Sequence, residues 1–167
     1  ASVGVTASLA NTALNTGDAL GDVYATIENL TGSGFDDTLY GDSNANAIDG
    51  SDGNDTLIGN TADNEFRGNG GSDSILGGDG HDAISGGDGA DTVLGGLGND
   101  SILGGTGDDT IQGGAGDDTI NAGEGNDSVT GGTGNDTFAF STGLVGGETI
   151  TITDFDHVSQ ADKIDLS

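Results

Sequence analysis

The sequence predicts an all-β solenoid made of short coils stacked on one another, and three observations support this. A nine-residue repeat runs without a gap from Val23 to Ala139, in thirteen copies. The eighth position of every copy is apolar, and glycine takes 35 of the 167 positions, mostly at fixed places in the repeat. Self-similarity at a fixed short period is the sequence signature of repeat architectures. Two copies make a coil of eighteen residues, and stacked coils can bury apolar side chains between two parallel sheets.

The eighth position supplies the predicted core. Positions 7 to 9 are rich in Thr, Ser and apolar residues, which favours a short strand with alternate side chains on opposite faces. Position 8 then points inward, and positions 7 and 9 point outward. The inward residues are Leu30, Leu39, Ile48, Leu57, Phe66, Ile75, Ile84, Val93, Ile102, Ile111, Ile120, Val129 and Phe138.

The other six positions predict a tight turn. In the copy from Gly77 to Asp82 they read Gly-Gly-x-Gly-x-Asp, and glycine reaches positive φ without a Cβ clash. We therefore expect strands of three residues and turns of six. The repeats give about 6.5 coils, and the roll is roughly 30 Å long at about 4.8 Å per coil.

The charge of the chain excludes several classes of partner. Asp and Glu number 29 against two Lys and Arg, which gives a net charge of −27. Binding to nucleic acid or to an anionic membrane surface requires basic residues. No apolar run approaches the ~18 residues of a transmembrane helix, so we expect neither nucleic-acid binding nor membrane insertion. The acidity favours cations.

The sixth position predicts where those cations bind. It is Asp in ten of the thirteen copies, and turns eighteen residues apart stack on the same edge of the roll. Carboxylates about 5 Å apart repel by roughly 3 kcal/mol at an effective dielectric of about 20. A donor set of carboxylates and turn carbonyls suits Ca²⁺ better than Mg²⁺. One edge carries Asp37, Asp55, Asp73, Asp91, Asp109 and Asp127, and the other carries Asp82, Asp100, Asp118 and Asp136.

The frame Gly-Gly-x-Gly-x-Asp-x-U-x, where U is a large apolar residue, resembles the RTX (repeats-in-toxin) nonapeptide. The match is strictest from Gly68 onward. The resemblance implies a right-handed parallel β-roll with Ca²⁺ between successive turns, bound by the position-6 Asp and the backbone carbonyls of positions 1 to 4. The implied glycine ligands are Gly78, Gly80, Gly87, Gly89, Gly96, Gly98, Gly105, Gly107, Gly114, Gly116, Gly123 and Gly125. Eight pairs of successive aspartates set the upper limit at about eight ions.

Departures from the frame weaken two places. Asn46 and Asn64 replace Asp at position 6, and Asn44 and Ala62 replace the position-4 Gly of the same copies. We therefore expect that edge to bind little or no calcium before Asp82. Phe35 also stands at a position-4 site, so the pair of Asp37 with Asp55 is predicted to be the weakest of the eight.

The ends of the repeat need caps because an open coil exposes core and strand edge. We assign residues 1–22 to an N-terminal cap, in which Val3, Val5, Ala7 and Leu9 alternate as in a half-buried strand. Residues 23–139 form the roll. Residues 140–167 form a C-terminal cap, with an alternating segment at 149–155 and a closing segment at 162–167 that resembles the end of many RTX rolls. The chain opens without Met, and we expect it to be a piece of a longer protein.

The predicted function is non-catalytic. The sequence has no Gly-x-Ser-x-Gly motif, and His81 and His157 are isolated, so no nucleophile–base pair is evident and both are expected to be exposed and without a role. The leading hypothesis is a calcium-binding roll that folds on meeting extracellular calcium. The resemblance implies a secreted bacterial protein, export by type I secretion machinery, and an attached domain whose folding the roll assists. Two alternatives remain: a module that binds a polysaccharide or protein partner, and the tail of a secreted protease, lipase or toxin.

Overall fold

The computed structural model describes residues 3–20, 27–140, 148–156 and 160–166. The predicted boundary between residues 22 and 23, and His157, lie outside these ranges. The described chain is all-β apart from two single-turn 3₁₀ helices, Thr12–Leu14 and Gly17–Ala19. No helix in these ranges is long and apolar enough to cross a membrane. The strands are β1 (Thr6–Ser8), β2 (Asn29–Thr31), β3 (Thr38–Tyr40), β4 (Ala47–Asp52), β5 (Thr56–Asn60), β6 (Glu65–Gly70), β7 (Ser74–Asp79), β8 (Ala83–Asp88), β9 (Thr92–Leu97), β10 (Ser101–Thr106), β11 (Thr110–Ala115), β12 (Thr119–Glu124), β13 (Ser128–Thr133), β14 (Thr137–Ala139), β15 (Thr151–Ile152) and β16 (Lys163–Asp165).

Successive strands alternate between two parallel sheets. The odd-strand sheet runs from β1 to β15 and the even-strand sheet from β2 to β16, each with eight strands. Within the roll, paired residues are eighteen apart: Ile102 pairs with Ile84 on one side and Ile120 on the other. One coil is therefore two repeats, and the predicted all-β solenoid with parallel sheets is confirmed.

The expected strand length is wrong. Strands β6 to β13 have six residues each and run from position 7 of one repeat to position 3 of the next, so that only positions 4 to 6 turn. Burial continues to alternate along these strands, with positions 8 and 1 inside. Position 1 is therefore an inward-facing strand position. Because it is usually glycine, no side chain fills the interior of the roll there.

The core is the predicted column of position-8 side chains. All thirteen are buried, and Ala7, Leu9, Ala19 and Ala122 join them. Leu76, at the outward position 9, is 39% exposed, whereas its neighbour Ile75 is 2% exposed. One inward side chain per repeat is a thin core, so each coil depends on the coils above and below it.

Short strands close both ends of the roll. At the N-terminal end β1 pairs with β3 through Ala7 and Leu39, although Val3 remains 58% exposed. At the C-terminal end β15 extends the odd-strand sheet and β16 extends the even-strand sheet. The expected strand over 149–155 is shortened to the two residues of β15. The Phe155 ring then lies 6.1 Å from the Phe138 ring, centroid to centroid.

Candidate metal site

The position-6 aspartates stack along two edges of the roll, where each turn leads into the next strand. The odd-strand edge is defined by Asp37, Asp55, Asp73, Asp91, Asp109 and Asp127. The even-strand edge is defined by Asn46, Asn64, Asp82, Asp100, Asp118 and Asp136. All twelve side chains are buried, each at most 3% exposed. Two position-6 residues eighteen apart on one edge are called a rung below.

Hydrogen bonds hold each aspartate in register with the next coil. The Asp91 N–H donates to Asp109 Oδ1 at 2.9 Å, and the Asp100 N–H donates to Asp118 Oδ1 at 2.8 Å. The Asp91 carbonyl accepts from the Thr110 N–H at 2.8 Å. The same bonds recur along both edges, so one carboxylate oxygen of each aspartate is committed to the backbone of its neighbour.

The second carboxylate oxygen has no protein partner. Among the described residues, nine aspartates have a buried Oδ2 atom without any hydrogen bond. A buried charged group without a partner costs several kcal/mol, so a proton or a ligand that meets this oxygen would stabilise the fold. These atoms belong to Asp55, Asp73, Asp82, Asp91, Asp100, Asp109, Asp118, Asp127 and Asp136.

Burial and neighbouring carboxylates disfavour the charged form of the aspartates on both edges. Burial raises the pKa of Asp55, Asp109 and Asp118 to about 7, and neighbouring aspartates add to the increase. Burial likewise raises the pKa of Asp82 and Asp91 to about 6. Ionising buried carboxylates beside each other costs free energy, and a cation bound between them would offset that cost.

A bare glycine at position 1 lies beside eight of the nine free oxygens; in the repeat of Asp127 that position is Ala122. A Cβ at Gly86, position 1, would lie 2.3 Å from Asp91 Oδ2 and 2.6 Å from the Gly104 carbonyl oxygen of the next coil. The same two kinds of oxygen lie beside Gly68, Gly95 and Gly113. A carboxylate and a carbonyl thus border one space in each of these repeats, and all-oxygen donors of this kind suit a hard divalent cation.

The edges carry rows of carboxylates rather than clusters of metal-binding side chains. In the described ranges no group of three or more His, Cys, Asp and Glu side chains is placed to hold a metal ion. Any cation on these edges therefore depends on backbone carbonyls for the rest of its ligands.

The glycines named as carbonyl ligands occupy positions 2 and 4. All twelve have positive φ, as expected; Gly96 and Gly98, for example, have φ of 125° and 121°. Position-1 glycines such as Gly86 do not have positive φ, so space rather than backbone conformation explains them. The ligand role of the twelve carbonyls stays a prediction.

Asp37 differs from the other nine aspartates. Its Oδ2 accepts from the Ser33 N–H, and its Oδ1 accepts from Ser33 Oγ at 3.1 Å and from the Val5 N–H at 2.5 Å. Both oxygens therefore have protein partners. This arrangement is consistent with the expectation that Asp37 and Asp55 make the weakest pair.

The side chains at position 5 form a second row of hydrogen bonds from coil to coil, which the sequence analysis did not predict. This row and the row at position 6 are called ladders. The Asp117 N–H donates to Asn99 Oδ1 at 2.9 Å, and the Asn135 N–H donates to Asp117 Oδ1 at 2.8 Å. His81 belongs to it, because its Nδ1 accepts from the Asn99 N–H at 2.8 Å. The expectation that His81 has no role is therefore wrong. The signal was present: ten of the thirteen position-5 residues are Asp, Asn, Ser or His, all able to accept a hydrogen bond.

The C-terminal segment extends both ladders beyond the last repeat. The Asp136 N–H donates to Asp162 Oδ1 at 3.1 Å, and the Ala161 N–H donates to Asn135 Oδ1 at 2.9 Å. Asp162 thus takes the position-6 place in an extra half-coil, which a separation of 26 residues from Asp136 hid from a nine-residue frame.

Comparison with known proteins agrees with this geometry. Four copies of the family model for the RTX calcium-binding nonapeptide repeat match residues 25–57, 49–84, 67–102 and 103–138. No curated relative matches the chain significantly. The family matches span more than half of the chain and fall on the coils that carry the two edges. The chain belongs to the RTX calcium-binding nonapeptide repeat family.

Proposed function

We propose that this chain is a non-catalytic module that folds as it binds several calcium ions between its coils. The observation that carries the proposal is the set of nine buried Oδ2 atoms without hydrogen-bond partners, repeated in register along both edges. A bound Ca²⁺ supplies positive charge between carboxylates and needs only oxygen ligands.

The proposed ligands are the carboxylates of each rung and the turn carbonyls beside them. On the odd-strand edge the pairs run from Asp55 to Asp127, with Asp37 as the weakest member. On the even-strand edge they run from Asp82 to Asp136. The glycines at positions 2 and 4 between Gly78 and Gly125 offer the carbonyls. Eight ions remain the upper limit for these ten aspartates.

The energetics favour a switch between an unfolded and a folded chain. If each site has a Kd tenfold below the free calcium concentration, mass action adds about 1.4 kcal/mol per site, or about 11 kcal/mol for eight sites. That sum is similar to the whole stability of an ordinary domain. Without calcium, the repulsion between buried carboxylates and the thin core favour the unfolded chain.

The family supports a proposal about the biological setting. RTX repeats occur in secreted bacterial proteins, and we place this chain outside the cell. In the proposed scheme it leaves the calcium-poor cytoplasm unfolded through type I secretion machinery, folds where calcium is abundant, and assists the folding of an attached domain. The carboxylates are fixed in ladders rather than arranged around a substrate cleft, which supports a role without catalysis.

The direct test is circular dichroism of the calcium-stripped chain during titration with CaCl₂, with MgCl₂ as the matched control. We expect a cooperative change from coil to β-sheet with calcium and none with magnesium at the same concentration. A chain that is fully folded in chelator and unaffected by calcium would contradict the proposal.

One surface favours a second candidate function. A shallow groove of about 450 Å³ crosses the outer face of the even-strand sheet, lined in part by Arg67, Ser85, Leu103 and Asn121. Neutral and apolar groups of this kind suit a polysaccharide better than the acidic edges do. Retention on an immobilised neutral glycan, lost when Leu103 and Asn121 are changed to Gly, would support this role; retention that persists would argue against it.

A further inference from the structure

The first two members of the even-strand edge carry amides where the other ten position-6 side chains of the two edges carry carboxylates. The Asn46 N–H donates to Asn64 Oδ1 at 3.0 Å, and the Asn64 N–H donates to Asp82 Oδ1 at 2.8 Å. Asn46 Oδ1 lies beside the position-1 Gly41 and accepts from the Asp42 N–H at 2.9 Å. Asn64 instead uses Oδ1 as the aspartates do, and its Nδ2 takes the place of the free carboxylate oxygen. Unlike that oxygen, Asn64 Nδ2 has a partner, because it donates to the Ala62 carbonyl, at position 4, at 2.5 Å.

A third amide enters the space between these two asparagines. Asn60 stands at position 2, where every copy from Gly78 onward has glycine. Its Nδ2 lies 2.8 Å from the Asn44 carbonyl oxygen, 3.1 Å from Asn46 Oδ1 and 3.1 Å from Asn64 Oδ1. These three oxygens are a position-4 carbonyl and the position-6 side chains of two successive coils. The Asn44 carbonyl and Asn46 Oδ1, which lies beside the position-1 Gly41, correspond to the turn carbonyl and the free carboxylate oxygen proposed as calcium ligands elsewhere, whereas Asn64 Oδ1 corresponds to the carboxylate oxygen that binds the backbone.

The amide rung leaves no buried polar side-chain atom without a partner. Neither Asn46 nor Asn64 is among the buried groups that lack a hydrogen bond, although each is only 3% exposed. Nine of the ten aspartates at position 6 are among them. The contrast follows from chemistry, since an amide nitrogen donates to facing oxygens whereas a carboxylate oxygen only accepts.

We propose that Asn60 takes the place of a calcium ion in the rung of Asn46 and Asn64, so that this rung is complete without metal. The inference rests on the proposed function, because it assumes that the equivalent rungs of aspartates bind calcium. It goes further, since it assigns the departures in this part of the repeat to a protein-built substitute for the cation rather than to decay of the motif. The roll then has one metal-free rung next to its N-terminal cap.

A related contact occurs at the other end of the same edge. With its amide oriented so that the nitrogen faces oxygen, Gln160 donates to the Gly132 carbonyl at 3.2 Å and to the Gly134 carbonyl at 2.9 Å. These are the position-2 and position-4 carbonyls of the last repeat. Side-chain amides therefore contact turn carbonyls near both ends of the edge, and the aspartate rungs lie between them.

The test restores the calcium frame and counts ions. We would compare the wild type with N46D/N60G/N64D, and use N46D/N64D, which keeps Asn60, as the matched control. Both variants also create an aspartate rung between residues 64 and 82, so the informative quantity is the difference between them. Equilibrium dialysis against CaCl₂ should show one more ion per chain for the triple variant than for the double variant, in which the Asn60 amide still fills the space between residues 46 and 64. Equal ion counts in the two variants overturn the inference. A wild type that binds no calcium overturns the proposed function instead.

A single variant provides a second test if the triple variant does not fold. Asn60→Gly introduces the residue that the repeat prefers at position 2, yet it removes three contacts of the amide. We expect a lower Tm in saturating CaCl₂ and an unchanged ion count. An equal or higher Tm would mean that the amide does not stabilise the rung, and would overturn the inference.

Discussion

At the residue scale, the central feature is that nine of the ten position-6 aspartates form hydrogen bonds through only one of their two oxygens. Oδ1 binds the backbone of the neighbouring coil, which fixes the carboxylate in place, while Oδ2 is left buried without a partner. The sequence predicts which aspartates stack and that they repel. It does not predict that one oxygen of each carboxylate binds the backbone of the neighbouring coil. That contact depends on how deeply the position-6 side chain is buried in the turn.

Asp109 offers the sharpest substitution because it belongs to two rungs. Asp109→Asn removes a charge from both, and we expect a loss of about 3 kcal/mol of calcium-dependent stability, about 1.4 kcal/mol for each site. In chelator the same change should stabilise the chain, since an amide nitrogen can donate to the Gly107 carbonyl as Asn64 does to Ala62. Thermal melts in CaCl₂ measure the expected loss, and the amount of β-sheet seen by circular dichroism in chelator measures the expected gain.

The matched control is the neighbouring Asp108→Asn. Asp108 is exposed, and its Oδ1 accepts from the Asn126 N–H, a bond that an asparagine preserves. Its effect should stay within about 0.5 kcal/mol. Equal effects of the two substitutions would mean that general acidity, rather than the buried ladder, controls calcium dependence.

The pH dependence of the calcium-stripped chain has a definite sign. The pKa of Asp55, Asp109 and Asp118 in the fold is about 7, against about 3.9 in an unfolded chain. The folded form binds more protons, so these groups stabilise it fully below about pH 4 and lose that effect as pH rises through about 7. Circular dichroism of the stripped protein should therefore show more β-sheet at about pH 5 than at about pH 8, and the reverse order would contradict the assignment of buried carboxylates.

With calcium present, protons compete for the same oxygens. The calcium concentration at half-folding should be higher at about pH 5 than at about pH 8. A calcium midpoint that does not change with pH would place the binding groups outside the carboxylates with raised pKa.

At the element scale, the repeating unit is a six-residue strand joined by a three-residue turn. The nine-residue period and the apolar eighth position predict the strand, its parallel pairing and its inward face. They do not reveal its length, since a glycine pair such as Gly95 and Gly96 is typical of turns in sequence. Backbone pairing with the coils above and below overrides that local preference, because every coil repeats the same conformation.

At Gly98, a position-4 residue, the contact between coils requires glycine. Gly98 has φ of 121°, and a Cβ there would lie 1.8 Å from the Gly80 carbonyl oxygen. Gly98→Ala should cost more than about 3 kcal/mol, since it combines an unfavourable φ with a backbone clash. Gly34→Ala is the control because nothing lies within 4 Å of its Cβ position. Calcium titrations of the two variants, followed by circular dichroism, should differ strongly in midpoint; similar midpoints would count against the described packing of the turns.

The inward and outward faces of one strand can be compared directly. Ile102 is 2% exposed and Leu103 is 43% exposed in β10. Ile102→Ala should cost about 2–5 kcal/mol, whereas Leu103→Ala should change stability by about 0.5 kcal/mol or less. Unfolding by denaturant in saturating calcium measures both, and a larger cost for Leu103 would invert the assignment of the faces.

At the scale of the whole molecule, the roll consists of identical rungs between unlike ends. The repeat frame predicts the middle well because each position sees the same surroundings in every coil. The ends are harder to predict, since their contacts occur once: Asp162 joins the ladder across a gap of 26 residues, and the Asn60 amide depends on its side-chain direction. Neither feature has a period that the sequence can display.

The most direct test of the central claim is a crystal structure of the chain grown with CaCl₂, with calcium located by its anomalous scattering. The account predicts ions between successive position-6 aspartates, from Asp55 to Asp127 on one edge and from Asp82 to Asp136 on the other, and none between Asn46 and Asn64. Ions found only on the outer surface, at position-3 and position-5 side chains, would contradict it, as would empty aspartate rungs in a folded chain.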